Sequence, residues 1–264
     1  MYINFDLRDD DYLDAERLLA DLADAMPRVL GPNNGDTWRT LWALSVVYWS
    51  HAKSDQAHGM PEAARLSYEK AEQITRKVVA LYQTLPAATP GGLPGGGSTS
   101  LNMFRLAAVL GNEGKYAEAE QEYASLLSYQ RKLANGETMT LIDTRTVGWA
   151  QLQQQKYAEA ESTLRPSCAG MVQPRTGLAE SKQRYACESE LGASLVGQKR
   201  YAEAEPLLLR GYEGAIKMQA ETEVLAIRMT SRLTPQQTAG WIARMYEEWD
   251  RPAQAAEWSE KARQ

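Results

Sequence analysis

The sequence predicts an all-α fold, an α-solenoid of antiparallel helix pairs, and three observations carry that prediction. A heptapeptide recurs almost unchanged, as Lys115-Tyr-Ala-Glu-Ala-Glu-Gln, Lys156-Tyr-Ala-Glu-Ala-Glu-Ser and Arg200-Tyr-Ala-Glu-Ala-Glu-Pro, with tyrosines 41 and 44 residues apart. Self-similarity at such a period marks a stack of supersecondary units. Each copy is preceded by a stripe at helical spacing: Met103, Leu106, Ala107 and Leu110 before Tyr116; Thr144, Val147, Gly148 and Leu152 before Tyr157; Glu188, Leu191, Gly192 and Leu195 before Tyr201. The third place in each stripe is small (Ala107, Gly148, Gly192), and the second helix answers with Ala119, Ala160 and Ala204, so paired helices can approach closely. Weaker copies, Tyr12-Leu-Asp-Ala-Glu, Pro61-Glu-Ala-Ala and Pro252-Ala-Gln-Ala-Ala, extend the series, with Ala15 and Ala255 in the same role.

Second helices are expected near 12–29, 60–84, 116–133, 157–172, 201–219 and 252–263, and first helices near 37–52, 99–113, 138–153, 178–197 and 234–249. The chain reads as one array over 1–264: a partial repeat at 1–29, a repeat at 30–85 with an insertion at 51–58, a Gly/Pro-rich loop at 86–98, repeats at 99–135, 136–173 and 174–220, and a terminal repeat at 233–264. Only Tyr2 to Leu7 stands where a first helix would precede Tyr12, which leaves one face of the 12–29 helix uncapped and suggests a fragment of a longer array, a partner-supplied cap or a degenerate end repeat. The segment Pro86 to Ser98 is too rich in Gly and Pro to hold a helix and reads as a flexible connector. Gln173-Pro-Arg-Thr-Gly reads as a helix-ending linker.

Composition narrows the function. At 264 residues, 44% hydrophobic and 24% charged, the chain is an ordinary soluble protein, and a net charge of −5 gives no reason to expect a nucleic-acid backbone as partner. No run approaches the roughly 18 apolar residues of a membrane span, and the acids near the N-terminus do not suit a signal peptide, so a cytoplasmic location is expected. Cys168 and Cys187 fall in adjacent helices, where a disulfide is conceivable, but two cysteines in 264 residues read as buried free thiols.

Catalytic signals are weak. Glu118 and Glu120 recur at the helix start, where the macrodipole favours negative charge, so they need no acid–base role. His51, Asp55 and His58 have spacings of four and three and would share a face if the first helix continued, but a solvated polar extension explains them equally. The insertion that carries them is expected to lengthen a turn. No phosphate loop or nucleophile elbow is present, and neither a cofactor, a metal site nor enzymatic activity is expected.

The units just quoted resemble the tetratricopeptide repeat (TPR) family, over nearly the whole chain. The period exceeds the standard of roughly 34 residues and is similar to the long-linker subtype of kinesin light chains; Leu30-Gly-Pro-Asn-Asn-Gly-Asp-Thr looks like that subtype's linker. The C-terminal copies look like those of acidobacterial TPR proteins, some of which carry a serine/threonine kinase domain; no kinase motif is present, so no activity carries over. Peptide-pheromone receptors of similar form usually carry a helix-turn-helix ahead of the repeats, and none is present.

The resemblance implies a right-handed superhelix whose first helices line a concave groove. Carried onto this sequence, the groove positions are Arg39, Trp42, Val46, Trp49, Phe104, Arg105, Ala108, Arg145, Trp149, Gln153, Trp241 and Arg244. Tryptophan and arginine are common binding hot spots, and Trp38, Trp42 and Trp49 share one helix face. Arginines beside aromatics favour an extended peptide or protein with acidic and apolar side chains. The family's chaperone-tail clamp needs Lys and Asn where Phe104, Ala108 and Arg145 stand, so that specificity is not implied. The expected function is a non-catalytic binding scaffold, the sensing or scaffolding part of a larger bacterial signalling protein, with self-assembly through the N-terminal helix, at Leu18, Leu19 and Leu22, as the alternative.

Overall fold

A computed structural model describes residues 9–32, 34–83, 99–132, 137–219 and 233–263. The expectations for Tyr2 to Leu7 and for the loop at 86–98 lie outside these residues. Eleven α-helices are described: α1 (Asp9–Val29), α2 (Gly35–Ala57), α3 (Pro61–Gln83), α4 (Thr99–Asn112), α5 (Tyr116–Lys132), α6 (Glu137–Gln153), α7 (Tyr157–Met171), α8 (Lys182–Gly197), α9 (Tyr201–Gln219), α10 (Pro235–Glu248) and α11 (Pro252–Lys261). A 3₁₀ turn, Pro174–Thr176, stands at the predicted linker after α7. Among the described residues there is no strand, and no helix is long and apolar enough to cross a membrane.

The chain divides into two compact units, Met1–Glu122 and Tyr123–Gln264. In the first, α1 packs on α2, α2 pairs with α3, and α3 packs on α4. In the second, α6 with α7, α8 with α9 and α10 with α11 form the pairs, while α7 packs on α8 and α9 on α10; the first helices α6, α8 and α10 touch in sequence.

One turn closes every pair. Gly59, Gly114, Gln155, Lys199 and Asp250 all have φ between 57° and 79°, the left-handed region. The next residue then donates its backbone N–H to the carbonyl five residues back, as Met60 to Asp55, Lys115 to Leu110, Lys156 to Gln151, Arg200 to Leu195 and Arg251 to Tyr246, at 2.8–3.0 Å. This is the Schellman closure, which satisfies a carbonyl at the end of the first helix. Only two of the five positions are glycine, which is why the motif does not stand out in the sequence.

Within a pair, the small residues do what their recurrence predicts. A Cβ on Gly148 would lie 2.5 Å from Leu164 Cγ, and one on Gly192 would lie 2.7 Å from Leu208 Cγ. Ala107, Ala119, Ala160 and Ala204 are fully buried. Leucine knobs from α7 and α9 thus seat directly on the backbones of α6 and α8, and dispersion over many short contacts holds each pair together.

Between repeats, the basic residue that precedes the second helix reaches the acids of the previous one. Lys115 Nζ lies 2.6 Å from Glu72, Arg200 Nη1 2.6 Å from Glu161, and Arg251 Nη1 3.6 Å from Glu205. Glu161 also accepts from Arg165 and Gln198. Burial alone would raise its carboxyl, but these donors together bring it down to about 2. The repeated acids therefore do more than complement a helix dipole: Glu161 and Glu205 link neighbouring units, and Tyr246 adds a 2.6 Å hydrogen bond to Glu205.

Three expectations are corrected here. The insertion at 51–58 does not lengthen a turn: α2 runs on through it, and both α2 and α3 span 23 residues, against 14 and 17 for α4 and α5. Nor is the insertion simply a solvated face. Asp55 is buried, and His51 is stacked on Tyr12 with Nδ1 2.5 Å from Glu16 and Nε2 3.6 Å from Asp55, while His58 stands apart, exposed, 3.4 Å from Ser54 Oγ. Met60 stands where the other turns carry a base, and His51 from the extension meets Glu16 instead. The cysteines are also not free thiols: Cys168 and Cys187 form a disulfide between α7 and α8.

Candidate functional site

The twelve groove positions divide sharply by burial. On α2, Arg39 is exposed and ion-paired with Asp36, and Trp42, Val46 and Trp49 are half-buried. Lys53 Nζ sits 5.0 Å above the Trp49 ring. Trp38, although on the same helix face, is buried and donates its Nε1 to Pro32 O, which fastens the linker ahead of α2. On α4, Phe104, Arg105 and Ala108 are buried, as are all residues from Asn102 to Gly111. The outward assignment at these three is therefore corrected. Arg105 is nonetheless brought to Trp42, its guanidinium 4.5 Å from the indole centroid, in the cation–π geometry that desolvation strengthens.

Arg145 in the second unit is corrected in the same way. It lies 3% exposed and donates Nη1 to Glu190 Oε1 at 2.5 Å, joining α6 to a glutamate that is itself only 1% exposed. Burial pushes the Glu190 carboxyl up to about 7, outweighing the pull of Arg145. Also on α6, Asp143 accepts from Gln130 Nε2 of α5 at 2.9 Å. The Arg145–Glu190 pair belongs to the interior, where it joins the first helices α6 and α8. Helix α8 is buried on every side from Tyr185 to Val196, which a single helical stripe in the sequence cannot signal.

Three predicted residues converge. Gln153 at the end of α6 and Trp241 and Arg244 on α10 line one cleft of about 160 Å³, together with Tyr157, Ala193 and Val196. Trp241 packs against the buried clusters on both sides of it, so the wall it forms is rigid. Arg244 is exposed at the rim and directs Nε to Glu248 Oε1 at 2.7 Å. Tyr157 is held by the absence of a side chain on Gly197, whose Cβ would meet the tyrosine ring at 2.4 Å. In the sequence Tyr157 stands out only as the tyrosine of the repeated heptapeptide; its place in the cleft depends on the neighbouring glycine. Trp149 is half-buried on α6 and does not line the cleft.

Among solved structures, the chain is similar to a putative kinesin light chain of Podosopora anserina with nearly identical TPR-like repeats, at 20% identity and TM-score 0.57 over 80% of this chain and 90% of that one. The fold is TPR-like. BtubC (BKLC) from P. vanneervenii matches over 99% of this chain and 91% of its own, at 15% identity and TM-score 0.59. A Rap protein solved in complex with Competence and Sporulation Factor matches over 97% of this chain and 70% of its own, at 14% identity and TM-score 0.50. No family model matches the sequence, and no curated protein matches it. Among the described residues, no group of three or more His, Cys, Asp or Glu side chains is arranged to hold a metal ion, and His51 and Asp55 are engaged with Glu16 in helix packing.

Proposed function

We propose that this TPR-like chain is a non-catalytic interaction scaffold that holds an extended peptide or protein segment against its first helices. The observation that carries the reading is the set of large side chains left half-buried or exposed on the first helices of each unit taken by itself: Trp42 and Trp49 on α2 in the first, and Trp149 on α6 with Trp241 and Arg244 on α10 in the second. A half-buried tryptophan offers contact area at little ordering cost, because its neighbours already hold it. Exposed Arg39 and Arg244 favour acidic side chains in the partner, and a Rap protein of this fold was solved with Competence and Sporulation Factor bound. A sensing or scaffolding role within a larger bacterial signalling system fits such a module.

Affinity capture from the source lysate with the wild-type chain beside a Trp149→Ala, Arg244→Gln variant of equal helicity tests this. A partner kept only by the wild type supports the first-helix surface, and equal capture by both sinks it.

Self-assembly is the second reading, favoured by one observation: Leu18, Leu22 and Val29 on α1 are 59%, 44% and 78% exposed, while Leu19 is half-buried. Leu18 and Leu22 lie one turn apart on one face. Sedimentation equilibrium decides it, through a concentration-dependent mass abolished by Leu18→Glu with Leu22→Glu; a monomer at all concentrations rejects it.

A further inference from the structure

We propose that the cleft between α6, α8 and α10 is a receptor for one glutamate side chain of the bound segment, an inference that rests on the scaffold reading above. Size comes first. At about 160 Å³ the cleft is well below the roughly 300–1,000 Å³ of cofactor and drug-sized pockets, a size that suits a single side chain. Its walls are mixed. Ala193 and Val196, only 6% and 4% exposed, supply an apolar floor at the end of α8, and the Trp241 ring stands beside them. A short aliphatic stem can therefore lie against the floor.

The rim sets the charge. Arg244, on α10, donates its Nε to Glu248 one helical turn on. This contact uses one of the five guanidinium N–H groups, and the terminal ones can meet an incoming acceptor. Gln153 adds an amide from α6, which can donate to the second oxygen of a carboxylate. No carboxylate is among the residues that line the cleft; Glu248, ion-paired with Arg244, stands outside that lining. An aspartate's stem is one methylene shorter, which places glutamate ahead of it where the floor must be covered and the rim reached together. The walls are preorganised: Gly197 seats Tyr157, Glu248 holds the Arg244 Nε, and Trp241 is packed from both sides, so little ordering opposes entry.

The test is selection from a displayed library of randomised decapeptides on the full chain, run in parallel with Arg244→Gln and Arg244→Glu. Arg244 is 59% exposed, so neither change threatens the fold, and circular dichroism checks this. The expected result is a wild-type pool enriched in glutamate at one position, lost with Arg244→Gln and replaced by lysine or arginine with Arg244→Glu, the other positions being unchanged. Changing that glutamate to glutamine in a selected peptide should weaken wild-type binding about tenfold. Pools with the same preferences in all three proteins, or a wild-type pool without a glutamate position, overturn the cleft assignment and leave the scaffold reading standing. Failure to select any peptide overturns both.

Discussion

Gly148→Ala separates two effects of opposite sign. Alanine is the better helix former by about 1 kcal/mol, so in a loosely packed α6 the change would stabilise the protein. The new Cβ would lie 2.5 Å from Leu164 Cγ and 2.7 Å from its Cδ2, about 1 Å inside an ordinary carbon contact, and Leu164 is fully buried with nowhere to swing. Forcing a methyl into such a site costs roughly 1–3 kcal/mol. The contact should therefore win, with a net loss of up to about 2 kcal/mol. Leu164→Ala alone should cost about 2–5 kcal/mol through the cavity it leaves. In that background, however, the methyl at position 148 enters empty space, and Gly148→Ala should become stabilising. The assay is urea unfolding followed by far-UV circular dichroism for the four proteins of the cycle, and the signature is a coupling of about 2 kcal/mol between the positions. A Gly148→Ala single variant more stable than wild type, with additive behaviour in the double, would refute the close approach of α6 and α7 as the reason for the small residue.

Three further outcomes follow from the charges and the disulfide. Glu161 is held down near about 2 in the folded chain from its usual 4.5, so the stability it contributes is fully present above the ordinary range and lost as pH falls through the folded value; thermal midpoints of wild type and Glu161→Gln should differ at neutral pH and converge toward strong acid. Glu190 behaves in the opposite sense, because burial raises it to about 7: its favourable contribution is complete below 4.5 and declines as pH rises through the folded value, so Glu190→Gln should match wild type in mild acid and exceed it in mild alkali, and parallel pH profiles would contradict this. The Cys168–Cys187 bond has a sequence separation of 19, and chain-entropy arguments assign such a loop about 3 kcal/mol, so Cys168→Ser with Cys187→Ser should lower the urea midpoint, and thiol titration of the unreduced, denatured wild type should find no free sulfhydryl.

The helical pairs were legible because their cause is local and repeated. The Tyr-Ala-Glu-Ala-Glu segments do begin α5, α7 and α9, and the small residues at Gly148 and Gly192 do face leucines of the partner helix. The turn before each second helix was not legible, since Gln155, Lys199 and Asp250 adopt the left-handed region without glycine's signature. The insertion could not be resolved by sequence alone either. Seven or eight extra residues amount to two helical turns or to a long loop, and the choice depends on Ala52 and Asp55 finding burial in the paired helices.

For the candidate site, the residue types were readable and their surroundings were not. Arg145 and Arg244 look alike in sequence, each on a first helix near a tryptophan. The structure buries one against Glu190 and leaves the other at the rim of a cleft. Periodicity tells which residues share a helix face; it does not tell how many neighbours that face meets, because this is set by how adjacent repeats pack. The sequence by itself determined the helical pairs, their order and the residues available for binding, through spacings written within a single repeat. Only the tertiary structure decided which arginines are exposed, that Cys168 meets Cys187, and that Gln153, Trp241 and Arg244 share one cleft, because those are contacts between residues tens of positions apart that no local pattern encodes.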